Sequence, residues 1–254
     1  MDILIGRNNG ILALEFNRPD KKNAITAAMY QAMADALREA AANSAIRAIL
    51  ISGKPGIFTA GNDLDDFMRN PPSGGDSPVF QFLQQISQAN KPIVAAVAGA
   101  AVGIGTTLLL HCDLVYAADN ALFSLPFAQL GLCPEAASSL LLPQIVGYQR
   151  AAEKLLLGEP FSATEAQQMG LVNRVLAEAD LLPFAQKQAA KLTALPAASI
   201  RITKSLMKSG QTARIEAQMA TEGQHFGAML AAPEAREAFA AFFEKRKPDF
   251  SRFA

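Results

Sequence analysis

Lys91-Pro92-Ile93-Val94-Ala95-Ala96-Val97-Ala98-Gly99-Ala100-Ala101-Val102-Gly103-Ile104-Gly105-Thr106-Thr107 is the stretch on which the fold turns. Ile93 to Val97 is apolar at every position, the pattern of a strand buried on both faces of a sheet. Glycines at 99, 103 and 105 interrupt it, and Val102 to His111 reads as a Gly-led apolar helix. A strand that passes through a glycine turn into a helix N-terminus offers free N–H donors and a partial positive charge. Both suit an anion or an oxyanion. The same glycines also allow tight strand–helix packing without any ligand. A full Gly-x-Gly-x-x-Gly is absent, so this is not a dinucleotide fingerprint.

Upstream, Ile3 to Arg7 and Ile11 to Phe16 flank Asn9-Gly10, a hairpin signal because both turn residues tolerate positive φ. Thr26 caps a helix running to about Ala42. Ala48 to Ser52 is a short apolar strand ending at Gly53, and Lys54-Pro55-Gly56 is a turn. Residues 70 to 78 are rich in Pro, Gly and Ser and read as a mobile loop. A helix from about Val79 to Ser87 follows. Downstream, Leu114 to Ala117 and Ala121 to Ser124 are strands. Ser162-Ala-Thr-Glu165 is a capping box, Gly170 is the cap ending that helix, and Val172 to Leu176 is one more strand. From Leu181 on there are only helices, with breaks near Pro196 and Pro233. The expected architecture is α/β, a core over residues 1–195 with a helical region over 196–254.

The 254 residues are 50% hydrophobic and 18% charged, enough apolar content for a sizeable core. Lys+Arg and Asp+Glu both total 23, so the net charge is zero and argues against nucleic-acid binding through bulk charge. Cys112 and Cys133 lack metal-ligand spacing and read as buried thiols in a reducing compartment. No secretory or transit signal is visible, and Ser251-Arg252-Phe253-Ala254 is not the Ser-Lys-Leu address, so the cytoplasm is the expected location. No run reaches about 18 uninterrupted apolar residues, so no membrane span is expected.

A second short segment carries chemistry. Phe58-Thr59-Ala60-Gly61-Asn62-Asp63-Leu64 follows a strand and a turn, and its small residues let a ligand approach the backbone. A plain turn into a helix cap at Asn62 or Asp63 explains it equally well. Taken with Asn17-Arg18-Pro19, Asn23-Ala24, Lys91 to Gly99, Gly103-Ile104-Gly105, Cys112-Asp113-Leu-Val-Tyr116-Ala and Ala166 to Val172, it resembles the crotonase (enoyl-CoA hydratase/isomerase) superfamily. The resemblance runs in order along nearly the whole chain. It implies a spiral of ββα units, a C-terminal helical region that makes a homotrimer or a dimer of trimers, and an acyl-coenzyme A thioester as ligand. Coenzyme A is then part of the substrate, and no separate cofactor or metal is implied. The thioester oxygen would be held by the N–H groups of Ala60 and Ile104, with Gly61, Asn62, Asp63, Leu64, Gly103 and Phe127 around the substrate. Arg18 and Lys22, in the cluster with Lys21, would lie near the nucleotide phosphates. Lys245, Arg246 and Lys247 could reach a neighbouring subunit's ligand.

Departures from the family pattern narrow the reaction. The two glutamates of the hydratases fall here on Thr107 and Phe127, which cannot exchange protons near neutral pH. A carboxylate stands instead at Glu135, in Gly131-Leu-Cys-Pro134-Glu135-Ala-Ala-Ser138-Ser139. That segment, with Asn62-Asp63-Leu64 and an aliphatic Ile104, resembles the peroxisomal-type Δ3,Δ2-enoyl-CoA isomerase branch, in which one glutamate is the base. By residue physics alone, Glu135 could be an ordinary carboxylate at a helix start. An apolar setting, with Phe127, Leu132 and Leu140 as candidates, would raise its pKa. Asp63 reads as a helix cap, Asp113 as a local hydrogen-bonding residue, and His111 as a structural histidine. His225 has no assigned role. Phe239, Phe242, Phe243, Phe250 and Phe253 either pack the core, or dock another subunit or cover the acyl pocket. Another crotonase-fold reaction such as hydration, or a catalytically silent acyl-CoA-binding module, is the alternative.

Overall fold

The computed structural model describes residues 1–54, 56–70 and 74–253. Pro55 of the expected turn, residues 71–73 of the expected loop and Ala254 lie outside them. Strands β1 (Ile3–Asn8) and β2 (Ile11–Phe16) pair antiparallel around Asn9 and Gly10, whose φ angles are 49° and 78°. Thr26 caps helix α1 (Ala27–Ala42), its hydroxyl accepting the Met29 N–H. Then come β3 (Ala48–Gly53), α2 (Leu64–Arg69), α3 (Pro78–Ser87) and β4 (Ile93–Val97).

The Gly-led segment departs from the expected single helix. Val102 belongs to β5 (Ala100–Val102), and only Ile104–Thr107 is α-helical, as α4. Leu108–His111 continues it as a tighter 3-10 turn. The Thr106 hydroxyl bonds back to the carbonyl of Ala101 at 2.6 Å, tying this short helix to the strand before it.

The chain alternates between two sheets. After β4 and β5 come β6 (Leu114–Ala118) and β7 (Leu122–Ser124), each pair placing one strand in a six-stranded sheet and the next in a three-stranded one. Helices α5 (Ser138–Val146) and α6 (Tyr148–Ala152) lead to β8 (Phe161–Ser162), α7 (Ala163–Gln168) and β9 (Arg174–Leu176). The capping box at Ser162 and Glu165 is present. β9 is shorter than expected, because Leu171 and Val172 bond back to Ala166 at the end of α7. The large sheet runs β1-β2-β3-β4-β6-β9, parallel from β2 onward, and the small one runs β5-β7-β8. This is the spiral of ββα units.

Period two decides the packing of the large sheet. Ile49, Ile51, Ile93, Ala95, Val97, Val115 and Ala117 enter the main core. Leu50, Val94, Ala96, Tyr116 and Ala118 face the opposite side, where α8 (Glu178–Ala194) meets them with Leu181, Ala185 and Ala189. Both faces of β4 are therefore covered, which is why all its residues are apolar.

Helices α9 (Ala197–Lys208), α10 (Thr212–Leu230) and α11 (Pro233–Glu244) end the chain. Lys204 of α9 is buried and ties this region to the sheet. Its ammonium donates to the Lys91 carbonyl and to the Asp113 carboxylate, both at 2.7 Å. Asp113 also accepts the Ile93 N–H at 2.7 Å, so its role reaches well beyond the expected local bond. Removing one partner of a buried ion pair strands the other charge, at about 3–5 kcal/mol. Lys204→Met is expected to lower stability by about 3 kcal/mol, read as a lower urea midpoint at unchanged slope.

Candidate active site

Two backbone segments lie side by side. Thr59 bridges Ala101 in parallel, its N–H donating to the Ala100 carbonyl at 2.9 Å and its carbonyl accepting the Val102 N–H at 3.1 Å. Beyond that bridge Asn62 pairs with Ile25, and Ile104 opens α4. The approach is close, since a Cβ on Gly61 would sit 2.7 Å from the Val102 carbonyl oxygen. Gly103 has φ 55° and ψ −116°, a conformation L residues avoid, and a Cβ there would meet open space. Glycine is thus required at 103 by conformation, and the space before it is free.

The N–H inventory corrects one expected donor. The Ala60 N–H is spent on the Lys22 carbonyl at 3.0 Å, and the Gly61 N–H on the Thr59 hydroxyl at 3.1 Å. The Asn62 and Ile104 N–H groups have no acceptor among the described residues. Ile104 is the first residue of α4, where a helix N–H has no intrahelical partner. The free pair is therefore Asn62 and Ile104, and Ala60 is excluded because its N–H is already bonded.

Asn23 organises this arrangement, although the sequence offered it only as part of a motif. It is fully buried with φ 55°. Its side-chain amide donates to the carbonyls of Ile57 and Phe58 at 3.0 and 3.2 Å, and its backbone carbonyl accepts the Thr59 hydroxyl at 2.7 Å. The Asn62 side chain is held in turn by the hydroxyl of Tyr30, fully buried in α1.

Glu135 is buried, with 8% of its surface exposed, and its Oε1 has no hydrogen-bond partner among the described residues. It lines a small cavity with Phe67, Val79, Leu83, Met219 and Phe226. The expected neighbours Phe127, Leu132 and Leu140 are not among the residues lining that cavity. Phe127 instead starts a 3-10 turn, where its carbonyl accepts the N–H groups of Leu130 and Leu132. Burial pushes the Glu135 carboxyl up to about 8, and the charge of Glu222 adds to the rise. Glu222, on α10, is a buried carboxylate with no sequence signal, and its side chain lines the same cavity. A larger apolar groove of about 500 Å³ opens beside it, and Phe67 lines both spaces.

The remaining expected residues divide by what their side chains touch. Asp63 caps α2 by accepting the Asp66 N–H, as expected, and pairs with Arg18 at 2.6 Å. Burial raises the Asp63 carboxyl, but hydrogen bonds from Arg18 and the backbone outweigh this and hold it below its ordinary value. Arg18 also donates to the Ala24 carbonyl, so it braces the 23–25 and 62–64 segments. The Lys22 side chain is exposed, and Leu64 packs partly buried on the core. Thr107 is buried with its hydroxyl unpartnered among the described residues. His111 is buried against the Ala136 carbonyl at 2.9 Å, and burial lowers its pKa to about 4, in keeping with a neutral structural histidine.

A family profile described as enoyl-CoA hydratase/isomerase matches residues 6–252. A crystal structure of an enoyl-CoA hydratase/isomerase from Pseudoalteromonas atlantica T6c is similar at a TM-score of 0.95 and 43% identity, covering 99% of this chain and 100% of that one. The protein belongs to the crotonase superfamily as an enzyme of the enoyl-CoA hydratase/isomerase family. Among its relatives, the 2,3-dehydroadipyl-CoA hydratase of Escherichia coli (strain K12) is 32% identical over 250 residues, covering 98% of both chains. Enoyl-CoA delta isomerase 2 of Rattus norvegicus is 37% identical over 221 residues, covering 85% of this chain and 56% of that one.

The buried carboxyl has a consequence for stability. The native protein keeps the Glu135 proton up to a pH of about 8, whereas the unfolded chain releases it near 4.5. Between these values the native state binds more protons, so stability falls as pH rises. Glu135→Gln removes that slope. The variant is expected to match the wild type in thermal unfolding at pH 4 and to exceed it at pH 9.

Proposed function

We propose that this protein is a Δ3,Δ2-enoyl-CoA isomerase. Glu135 takes a proton from C2 of a 3-enoyl thioester, and the charge spreads over C2, C4 and the thioester oxygen as a dienolate. The N–H groups of Asn62 and Ile104 receive the oxygen, and Glu135 returns the proton to C4. Each donor aimed at a developing oxyanion contributes roughly 2.7–4 kcal/mol. A carboxyl whose pKa lies near the working pH can both accept and return a proton. The acyl chain has room in the apolar groove reached past Phe67.

The observation that carries this reading is the lone unpartnered oxygen of Glu135 in an apolar cavity, with buried Thr107 and Phe127 at the two hydratase positions. Similarity to the rat delta isomerase supports it. Similarity to the Escherichia coli hydratase supports hydration as the second reading. With 3-hexenoyl-CoA, the conjugated 2-enoyl product is expected to appear by ultraviolet absorbance, with deuterium entering C2 and C4 in D₂O. Glu135→Ala is expected to lower kcat by about 10²–10⁴ while acyl-CoA binding persists. Full turnover in that variant, or strong hydration of crotonyl-CoA by the wild type, overturns the proposal.

Self-association belongs to the same reading. Ile202, Leu206 and Met207 on α9 and Phe242 and Phe243 on α11 are exposed in the single chain. Apolar exposure of this kind supports a homotrimer or a dimer of trimers. Sedimentation velocity is expected to give three or six times the chain mass, and a monomer at micromolar concentration rejects it.

A further inference from the structure

The turn carrying Glu135 is held by a carboxylate from a distant helix. Ala136 and Ala137 have φ angles of 60° and 56°, a left-handed conformation that L side chains avoid. Ala137 stands at the N-cap of α5 and has no side-chain oxygen to cap it. Glu222 fills that role from α10. Its carboxylate accepts the Ala137 N–H at 2.6 Å, the Ser139 N–H at 3.0 Å and the Ser139 hydroxyl. Gln218, one turn earlier, donates to the Ser139 hydroxyl at 2.8 Å. Free helix-start donors are thereby satisfied from outside the helix.

We propose that Glu222 is a positioning residue for Glu135: it clamps the left-handed Ala136-Ala137 turn so that the Glu135 carboxylate stays in the cavity, beside a fixed negative charge. This deepens the isomerase reading and rests on Glu135 being the base. The titratable groups facing Glu135 are Tyr30 from α1, Cys133 on its own loop, Glu222 from α10, and His111, whose ring bonds the Ala136 carbonyl. His111 is neutral, and burial raises Tyr30 and Cys133. Glu222 is therefore the group whose charge acts on the base. Burial raises Glu222 as well, but its three donors favour the ionised form, whereas Glu135 has an oxygen with none. The pair keeps its charge on Glu222 and its proton on Glu135.

The test is carboxyl-carbon NMR on protein labelled at glutamate, with Glu135 assigned through Glu135→Gln, alongside kinetics on 3-hexenoyl-CoA. In Glu222→Gln the Glu135 midpoint is expected to fall by about half a unit or more. The acid limb of kcat/KM should move with it, and kcat should drop about tenfold while KM stays within about threefold. Glu222→Asp keeps the charge and should keep the midpoint raised. Should Glu222→Gln fail to fold, the wild-type titration decides, and Glu222 must titrate below Glu135. A lowered melting temperature with an unmoved Glu135 midpoint, or a wild-type Glu222 midpoint above that of Glu135, overturns the proposal. Absence of isomerase turnover in the wild type sinks the reaction assignment separately, because the titrations need no substrate.

Discussion

The parallel docking of residues 59–62 on residues 100–104 is the constraint on which the site depends. Two backbone hydrogen bonds at Thr59 set the register, and the near-contact of Gly61 with the Val102 carbonyl sets the separation. Every N–H in the first segment up to Gly61 is spent on holding it in place. Asn62 and Ile104 follow these anchored residues in their own segments, and their N–H groups have no acceptor among the described residues. Donors fixed in this way need no reorganisation when charge develops in front of them. Glycine at 103 completes the arrangement, because its backbone conformation starts α4 immediately after the strand.

A buried carboxyl opposes folding, and this fold places two of them next to one cavity. Glu222 is offset by three hydrogen bonds and holds the N-terminus of α5 in exchange. Glu135 has no such compensation at Oε1 and is kept largely protonated by burial and by its neighbour. The cost of an unsatisfied polar atom is borne by the surrounding apolar packing of Phe67, Val79, Leu83 and Phe226.

Much of the scaffold was legible before any coordinates. The hairpin at Asn9-Gly10, the Thr26 cap, the Ser162–Glu165 capping box and the doubly buried β4 are local signals, each written in neighbouring residues. The Gly103 helix was shorter than its apolar run suggested. Val102 is drawn into β5 by pairing with β7, a contact that residue types alone do not announce. Arg18 looked like a free cation in a basic cluster, and its pairing with Asp63 joins residues 45 apart in the chain.

The amino-acid sequence by itself determined the strand and helix pattern, the order of motifs that fits one superfamily, and the presence of Thr107, Phe127 and Glu135 on which the isomerase resemblance rests. The tertiary structure alone decided which N–H groups are free, because Ala60 and Asn62 look alike until the Lys22 carbonyl takes the Ala60 donor. It also alone brought Glu222 to the turn behind Glu135, across the 85 residues that separate Glu222 from Ala137. Hydrogen-bond occupancy and the proton affinity of a carboxyl are properties of three-dimensional surroundings. Sequence spacing encodes neither of them once the partners come from distant segments.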